Sequence, residues 1–313
     1  MARYATPPFV DGTMVGWPML GCATEIADVP EPLVDCLIAA DLHGERLDRA
    51  IARLNPRISR MEARRMISGG SVFVDQHRTR IASRLVRAGQ RLVCYRLALA
   101  PIGSVPQVIL THADFLVVDK PAGMAVEPTR AGDIATVTRW LGEQGRPAFI
   151  THRLDAPVSG ALVVATTAAA QSELNRLFAV HGVERQYLAA VTPAPPWSTH
   201  TIDSPLDDQP ARTFVQVRQR AGEAAALLEV RLETGRFRQI RRHLAAAGFP
   251  VVGDRDARSA APAARILLHA FRLAFPWRGE SIDLAVPPGD DFCAALALLQ
   301  LRGADAGCRI ETG

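Results

Sequence analysis

The sequence predicts an α+β chain: a small, basic α/β unit, then a larger unit of alternating strand-like and helical segments. Three observations carry this reading. Between residues 41 and 97 apolar residues recur first at helical and then at strand spacing. A proline-bounded stretch, Pro101 to Pro106, then breaks the pattern as a linker would. Beyond it, short apolar runs flank segments of helical composition as far as residue 300. A chain of 313 residues has room for two domains, and 48% hydrophobic content supports a substantial core.

The elements follow in order. Residues 1–40 are rich in Pro and Gly without sustained periodicity and form an N-terminal extension. Leu47, Ile51 and Leu54 mark one face of a helix that stops at Asn55-Pro56. Ser59 with Glu62 three residues later is a capping box, opening a second helix that Gly69-Gly70 ends. On that helix Arg60 and Arg64 share a face with Arg65 beside them, while Met61 and Ile67 turn inward. Strands follow at Val72–Val74 and Arg91–Tyr95, with Gly89-Gln90 as a turn. In the larger unit Phe115–Val118 is a buried strand running into a turn at 119–123, and Ala168–Phe178 is a helix. Tyr187–Val191, Leu227–Leu232 and Ile282–Val286 are strands; Arg238–Ala247 is helical and ends at Gly248. The domain expectation is therefore an extension (1–40), a small domain (41–97), a linker (98–107), a large domain (108–300) and a tail (301–313).

Charge is unevenly placed. Glu45 to Arg96 holds 13 Arg against four acids, a local +9, on a chain whose net charge is +4; the remainder is −5. That asymmetry points to an anionic partner, most simply nucleic acid. Lys120 is the single lysine, so the choice of Arg over Lys elsewhere reflects composition, whereas the clustering does not. Five scattered cysteines, with no Cys-x-x-Cys, argue against a disulfide framework or zinc site and for a reducing cytoplasm. No apolar run reaches the roughly 18 residues of a membrane span. Pro7, Pro8, Asp11 and Gly16 interrupt the start, which excludes a secretory signal.

Chemistry concentrates in Thr151-His152-Arg153-Leu154-Asp155, followed by Ser159-Gly160 and the apolar run Ala161–Ala165. This places a charged pair at the edge of a buried strand, beside a Ser-Gly turn. A partly buried, fixed Asp near a guanidinium suits chemistry; a structural salt bridge is the competing account. His152, His243 and His269 share no metal-ligand spacing and are expected to be hydrogen-bonded structural residues. A hydrolase triad of His152, Asp155 and Ser159 lacks the Gly-x-Ser-x-Gly turn. No Gly-rich nucleotide loop or metal-ligand cluster is present.

Two resemblances follow from these motifs. Leu47-Asp48-Arg49, Ile58-Ser59-Arg60 and Ser68-Gly69-Gly70-Ser71-Val72-Phe73-Val74-Asp75 resemble the small RNA-binding module first known from a ribosomal small-subunit protein. This implies a basic helix laid along RNA phosphates through Arg60, Arg64 and Arg65, where a merely solvated helix is the alternative. Lys120-Pro121-Ala122-Gly123-Met124, His152–Asp155 with Ser159-Gly160, Tyr187-Leu188-Ala189, Thr234–Leu244 with Gly253-Asp254, and Leu267–Leu273 together resemble the RluA-type pseudouridine synthases.

The second resemblance implies a mixed, largely antiparallel central sheet with flanking helices, behind the small α/β RNA-binding domain. It implies an RNA pseudouridine synthase that needs no cofactor and acts on structured RNA, ribosomal RNA first and transfer RNA as the alternative, with no membrane or protein partner. It casts Asp155 as the essential carboxylate, Arg241 as its cation and Tyr187 as the residue stacking on uracil. Arg153 would extrude the nucleotide, and Lys120 would contact RNA or pack the active-site loop. Read alone, Tyr187 fits a core strand position as well. The chain departs from the family at Ala156-Pro157-Val158, where members commonly carry Arg-Asp/Glu-Thr, and at Phe237-Arg238, usually Thr-His. The alternative function is an inactive RNA-binding or chaperone protein on the same fold.

Overall fold

The computed structural model describes residues 30–99, 105–257 and 263–302. Residues 1–29, the first part of the proline-bounded linker and the tail from 303 lie outside the described residues. The small unit contains β1 (Val34–Leu37), α1 (Leu47–Leu54), α2 (Arg60–Ser68), β2 (Val72–Val74), β3 (His77–Arg78) and β4 (Arg91–Cys94). Its strands form an antiparallel sheet in the order β1-β4-β2-β3. Ala50 and Ile51 of α1 and Ala63, Met66 and Ile67 of α2 share one core with Val72, Val74, Leu92 and Cys94 of the sheet.

Two local expectations are corrected. Residues 34–37, expected in the extension, are β1, paired from Val34↔Cys94 to Leu37↔Arg91. Four residues just after Pro30 and Pro32 are too few for an alternating pattern to stand out, yet Val34 and the following Ile38 are buried. Met61 points outward, 71% exposed, because the inward stripe of α2 is Ala63, Met66 and Ile67 at i, i+3, i+4 spacing. Ser59 caps α2 as expected, its hydroxyl accepting from the Glu62 amide at 3.1 Å.

The larger unit contains β5 (Gln107–Thr111), β6 (Phe115–Lys120), α3 (Val137–Glu143), β7 (Phe149–Ile150), β8 (Ser159–Ala165), α4 (Ala168–Ala179) and β9 (Glu184–Val191). It continues with β10 (Thr199–Asp203), β11 (Arg212–Ala221), β12 (Ala225–Leu232), α5 (Gln239–Ala246), β13 (Leu268–Trp277), β14 (Glu280–Ala285) and α6 (Asp290–Leu298). Its ten strands form one sheet, β10-β11-β12-β9-β13-β8-β6-β5, with β14 beside β13 and β7 beside β8. Among the strands of the described residues only β8 and β13 pair in parallel, so the sheet is mixed and largely antiparallel, as expected.

Alternation along the central strands decides which side chains meet the site. Leu116 and Val118 of β6, Leu162 and Val164 of β8, and Tyr187, Ala189 and Val191 of β9 enter one core. Phe115, Val117, Ala161, Val163 and Ala165 enter another on the opposite face. The first core also takes Leu154, Val158, Ile240 and Leu244, so the Asp155 loop and α5 lie on the face that presents Tyr187. Gly160 makes the parallel pairing possible. Its φ is +111°, and a Cβ there would stand 2.3 Å from the Ala270 carbonyl oxygen. The Ser159-Gly160 pair is thus the start of β8 and not a turn; the turn lies one step earlier, at Ala156-Pro157.

The histidines are structural, as expected. His152 Nε2 accepts from the Val163 amide, and His243 bonds Thr213 and the Ser204 carbonyl. His269 Nε2 donates to the Val286 carbonyl, which leaves Nδ1 to accept from the Ser159 hydroxyl at 2.8 Å. Burial pulls the His269 pKa down to about 4, with the Arg265 charge adding to it against the Val286 bond. The unfolded ring takes up a proton near pH 6.5, whereas the folded ring resists until about 4. Stability from the neutral ring is therefore present above pH 6.5 and lost as pH falls toward 4. At pH 5 the loss is on the order of 1–2 kcal/mol. His269→Gln should show a smaller drop in unfolding midpoint between pH 7 and pH 5 than the wild type.

Among the described residues no helix is long and apolar enough to cross a membrane. Cys36 and Cys94 are free thiols.

Candidate active site

Asp155 sits in the loop joining β7 to β8, and both ends of that loop are pinned. Thr151 Oγ1 donates to the Val163 carbonyl and the Val158 amide to the Asp155 carbonyl, each at 3.0 Å. Buried Leu154 and Val158 anchor the loop on either side, leaving the Asp155 side chain 24% exposed. The carboxylate is thus fixed at a half-open position, as a reacting group must be.

Its cation comes from α5. Arg241 Nη1 donates to Asp155 Oδ2 at 3.1 Å across 86 residues of sequence. Arg241 is itself held side-on by buried Asp254, Nε to Oδ2 at 2.8 Å and Nη2 to Oδ1 at 2.7 Å. Asp256 closes on the same Nη2. Burial works against the charge of Arg241, but the Asp254 bond and the charges of Asp254 and Asp155 outweigh it and raise its pKa. A guanidinium locked by one carboxylate and offering its remaining nitrogen to another is a preorganised counter-ion. Asp254 is the residue that sequence reasoning left without a role. Its only signal was the Gly253-Asp254 pair.

The start of α5 is equally determined. Gln239 is buried, and its Oε1 accepts from the Thr234 hydroxyl and the Arg236 amide. Its Nε2 donates to the Arg212 carbonyl and Thr213 Oγ1. These four bonds satisfy its amide in full and set the helix that aims Arg241. Arg242 turns away to a bidentate pair with Asp207 at the surface.

Tyr187, 7% exposed, lies in β9 between Val230 and Ala270 on the same face. Burial raises its pKa; Arg185, two residues before it, pulls the other way, and the Asp155 charge raises it again. Asp155, Arg241 and Tyr187 are therefore brought together. Arg153 is exposed beside them, with no side-chain bond among the described residues.

Of the two roles expected for Lys120, the structure fits packing of the active-site loop and not contact with RNA. It is 0% exposed, and Nζ donates to the carbonyls of Pro121, Met124 and Ala156 at 3.0, 2.7 and 3.2 Å. Burial pulls its pKa down to about 7, opposed by the charges of Asp155 and Asp119. Three carbonyls match the three donors of an ammonium. Lys120 is buried because β6 runs two residues further than the sequence pattern suggests. Its role is to fasten that strand's loop to the residue following Asp155.

The basic helix is built around another buried carboxylate. Asp48 is 0% exposed, and its Oδ2 accepts from Arg60 Nε at 2.9 Å and Arg64 Nε at 2.8 Å. Its Oδ1 accepts from Arg46 Nε at 3.1 Å. Burial opposes the Asp48 charge, but the three guanidinium bonds prevail and hold the carboxyl well below the usual range. Each Nε is spent inward, and Arg60 and Arg64 stay 42% and 51% exposed, leaving their outer nitrogens open to solvent. Arg65 is exposed next to them. Arg64→Ala should weaken RNA binding and lower the slope of log affinity against log salt by up to about one unit, measured by filter binding across a salt series.

Fold and site together fit an enzyme that works on RNA: a basic module ahead of a sheet whose loop holds a fixed, partly buried carboxylate paired with a guanidinium. Comparison with known proteins is specific. Residues 114–246 match the RNA pseudouridylate synthase family, and residues 45–92 match the S4 domain. The chain is 32% identical over 305 residues to ribosomal large subunit pseudouridine synthase D of Xanthomonas campestris pv. campestris, covering 84% of this chain and 91% of that protein. It is 30% identical over 316 residues to the protein of the same name from Neisseria meningitidis serogroup A, covering 88% and 84%. Human RNA pseudouridylate synthase domain containing 1 superposes with a TM-score of 0.52 at 26% identity, over 61% of this chain and 86% of that one. The chain belongs to the RNA pseudouridine synthase family, with an S4 domain as its N-terminal RNA-binding module. It is an enzyme, and its substrate is structured RNA.

Proposed function

We propose that the chain isomerises uridine in the RNA of the large ribosomal subunit, in the cytoplasm. The unit from β1 to about residue 97 would bind the RNA, and residues 107–300 would carry out the reaction. Two relatives that match most of the chain are named for the large ribosomal subunit, which favours ribosomal over transfer RNA as the substrate. The observation that carries the mechanism is the 3.1 Å contact between Arg241 and Asp155, with Arg241 locked by Asp254.

In pseudouridine formation the bond from uracil N1 to the ribose anomeric carbon breaks, the base turns, and C5 bonds to that carbon. C5 gives up its proton and N1 gains one, so no electrons are exchanged. The Asp155 carboxylate either attacks the anomeric carbon or removes a ribose proton. Both routes need it ionised inside a partly desolvated loop, the state Arg241 favours. Tyr187 stacks on the uracil and assists loss of the C5 proton. Arg153, exposed beside the carboxylate, takes the place or the phosphate of the extruded nucleotide. Arg60, Arg64 and Arg65 grip phosphates at a distance.

Mapping pseudouridine in cells with and without the protein tests the substrate. Loss of one or a few large-subunit sites is expected. Loss confined to transfer RNA would reassign the substrate.

A further inference from the structure

The basic helix and the reactive loop are joined by a polar latch that the reaction itself does not require. It meets the C-terminus of α2, where the last carbonyls of the helix are unsatisfied by the helix itself. The Ser68 carbonyl accepts from Arg80 Nη1 at 2.9 Å, and Arg80 Nη2 pairs with Asp133 of the larger unit. The Gly69 carbonyl accepts from the Asp133 amide at 3.2 Å. The Gly70 carbonyl accepts from Arg78, which also donates to the Thr129 carbonyl at 2.8 Å. One strand further on, the Ala98 amide donates to the Ala131 carbonyl at 2.7 Å.

Backbone meets backbone here. Gly132 has φ +120°, and a Cβ on it would stand 2.7 Å from both the Gly69 oxygen and Leu97 Cδ1. The Thr129–Gly132 hairpin therefore fits against the helix end only with glycine at this position. From the hairpin the bonds continue inward. Ala125 pairs with Thr136, the Gly123 amide donates to the Ala156 carbonyl at 2.7 Å, and Lys120 ties Met124 to Ala156. Ala156 follows Asp155. A cleft of about 420 Å³, lined by Gly123, Ala125, Arg130, Ala131 and Ala156, lies between the two units beside that residue.

We infer that this latch is a specificity determinant: it fixes the offset between the phosphate-binding face of α2 and Asp155, and so selects which uridine is modified. The inference rests on α2 binding RNA. Arg78 and Arg80 belong to the basic island but are spent on the latch. A rigid link turns two weak contacts into a ruler, because only a uridine at the matching distance engages both sites at once. A loosened link leaves each site intact and removes the ruler.

The test compares Arg80→Ala and Gly132→Val with the wild type, reading pseudouridine site by site in one pseudouridine-free large-subunit transcript. Arg80 is an exposed side chain, so its truncation leaves both cores intact. Gly132→Val changes no charge, so an effect shared by both variants is not lost attraction to RNA. Each variant should lower the ratio of target to off-target modification at least 10-fold while total modification stays within about threefold. An unchanged ratio, or a loss in proportion at every site, overturns the inference. Failure of the wild type to modify any uridine would instead refute the functional reading beneath it, and unchanged affinity in Arg64→Ala would refute the role of α2.

Discussion

Asp155→Asn should leave a protein that binds its RNA nearly as tightly as the wild type and forms pseudouridine at least about 1,000-fold more slowly. The substitution keeps the shape of the side chain and an oxygen for Arg241 Nη1, so the loop pinned by Thr151 and Val158 should hold. What disappears is the negative charge that either chemical route uses. Most of the affinity should come from phosphate contacts elsewhere, which the substitution does not touch. Single-turnover rates and filter-binding affinities on the same transcript separate the two effects. A variant that keeps its rate would remove Asp155 from the chemistry.

Asp254→Ala should have the largest effect on stability. Arg241 is 6% exposed and Asp254 1%, so deleting the carboxylate strands a buried guanidinium that has lost two of its strongest bonds. Removing one member of such a pair costs about 3–5 kcal/mol. The unfolding transition of the larger unit should move to lower denaturant, and activity at moderate temperature should fall as Arg241 loses its aim at Asp155. Asp254→Asn, which keeps an acceptor oxygen, should lie between. Equal stability of Asp254→Ala and the wild type would show that Asp256 alone can hold Arg241.

The sequence revealed the features whose cause is local. The Ser59 cap, the helical stripe of α1 and the β12 strand from Leu227 follow from spacing and side-chain type over a few residues. The pairing of Asp155 with Arg241, 86 residues apart, was legible only through the resemblance of separated segments to one family. Asp254 was not, because a single acid after a glycine looks like any turn. Its importance arises from burial against a guanidinium brought in by α5. Asp48 was hidden for a similar reason: near a helix start it looks solvated, yet three arginines fold over it and it sets their direction. Lys120 stood out as the only lysine, and composition signalled that it matters without saying that β6 would bury it. Strand β1 was missed because four residues are too short for a pattern and owe their place to pairing with β4.

The most direct test of the central claim follows the proton that the isomerisation must release. Transcribed large-subunit RNA carrying tritium at uracil C5 is incubated with the purified wild-type protein and, separately, with Asp155→Asn. With the wild type, tritium should appear in water in step with pseudouridine formation, and with Asp155→Asn it should stay on the RNA. Binding of that RNA by the wild type without release of tritium would contradict the account and leave an RNA-binding protein on a catalytic fold.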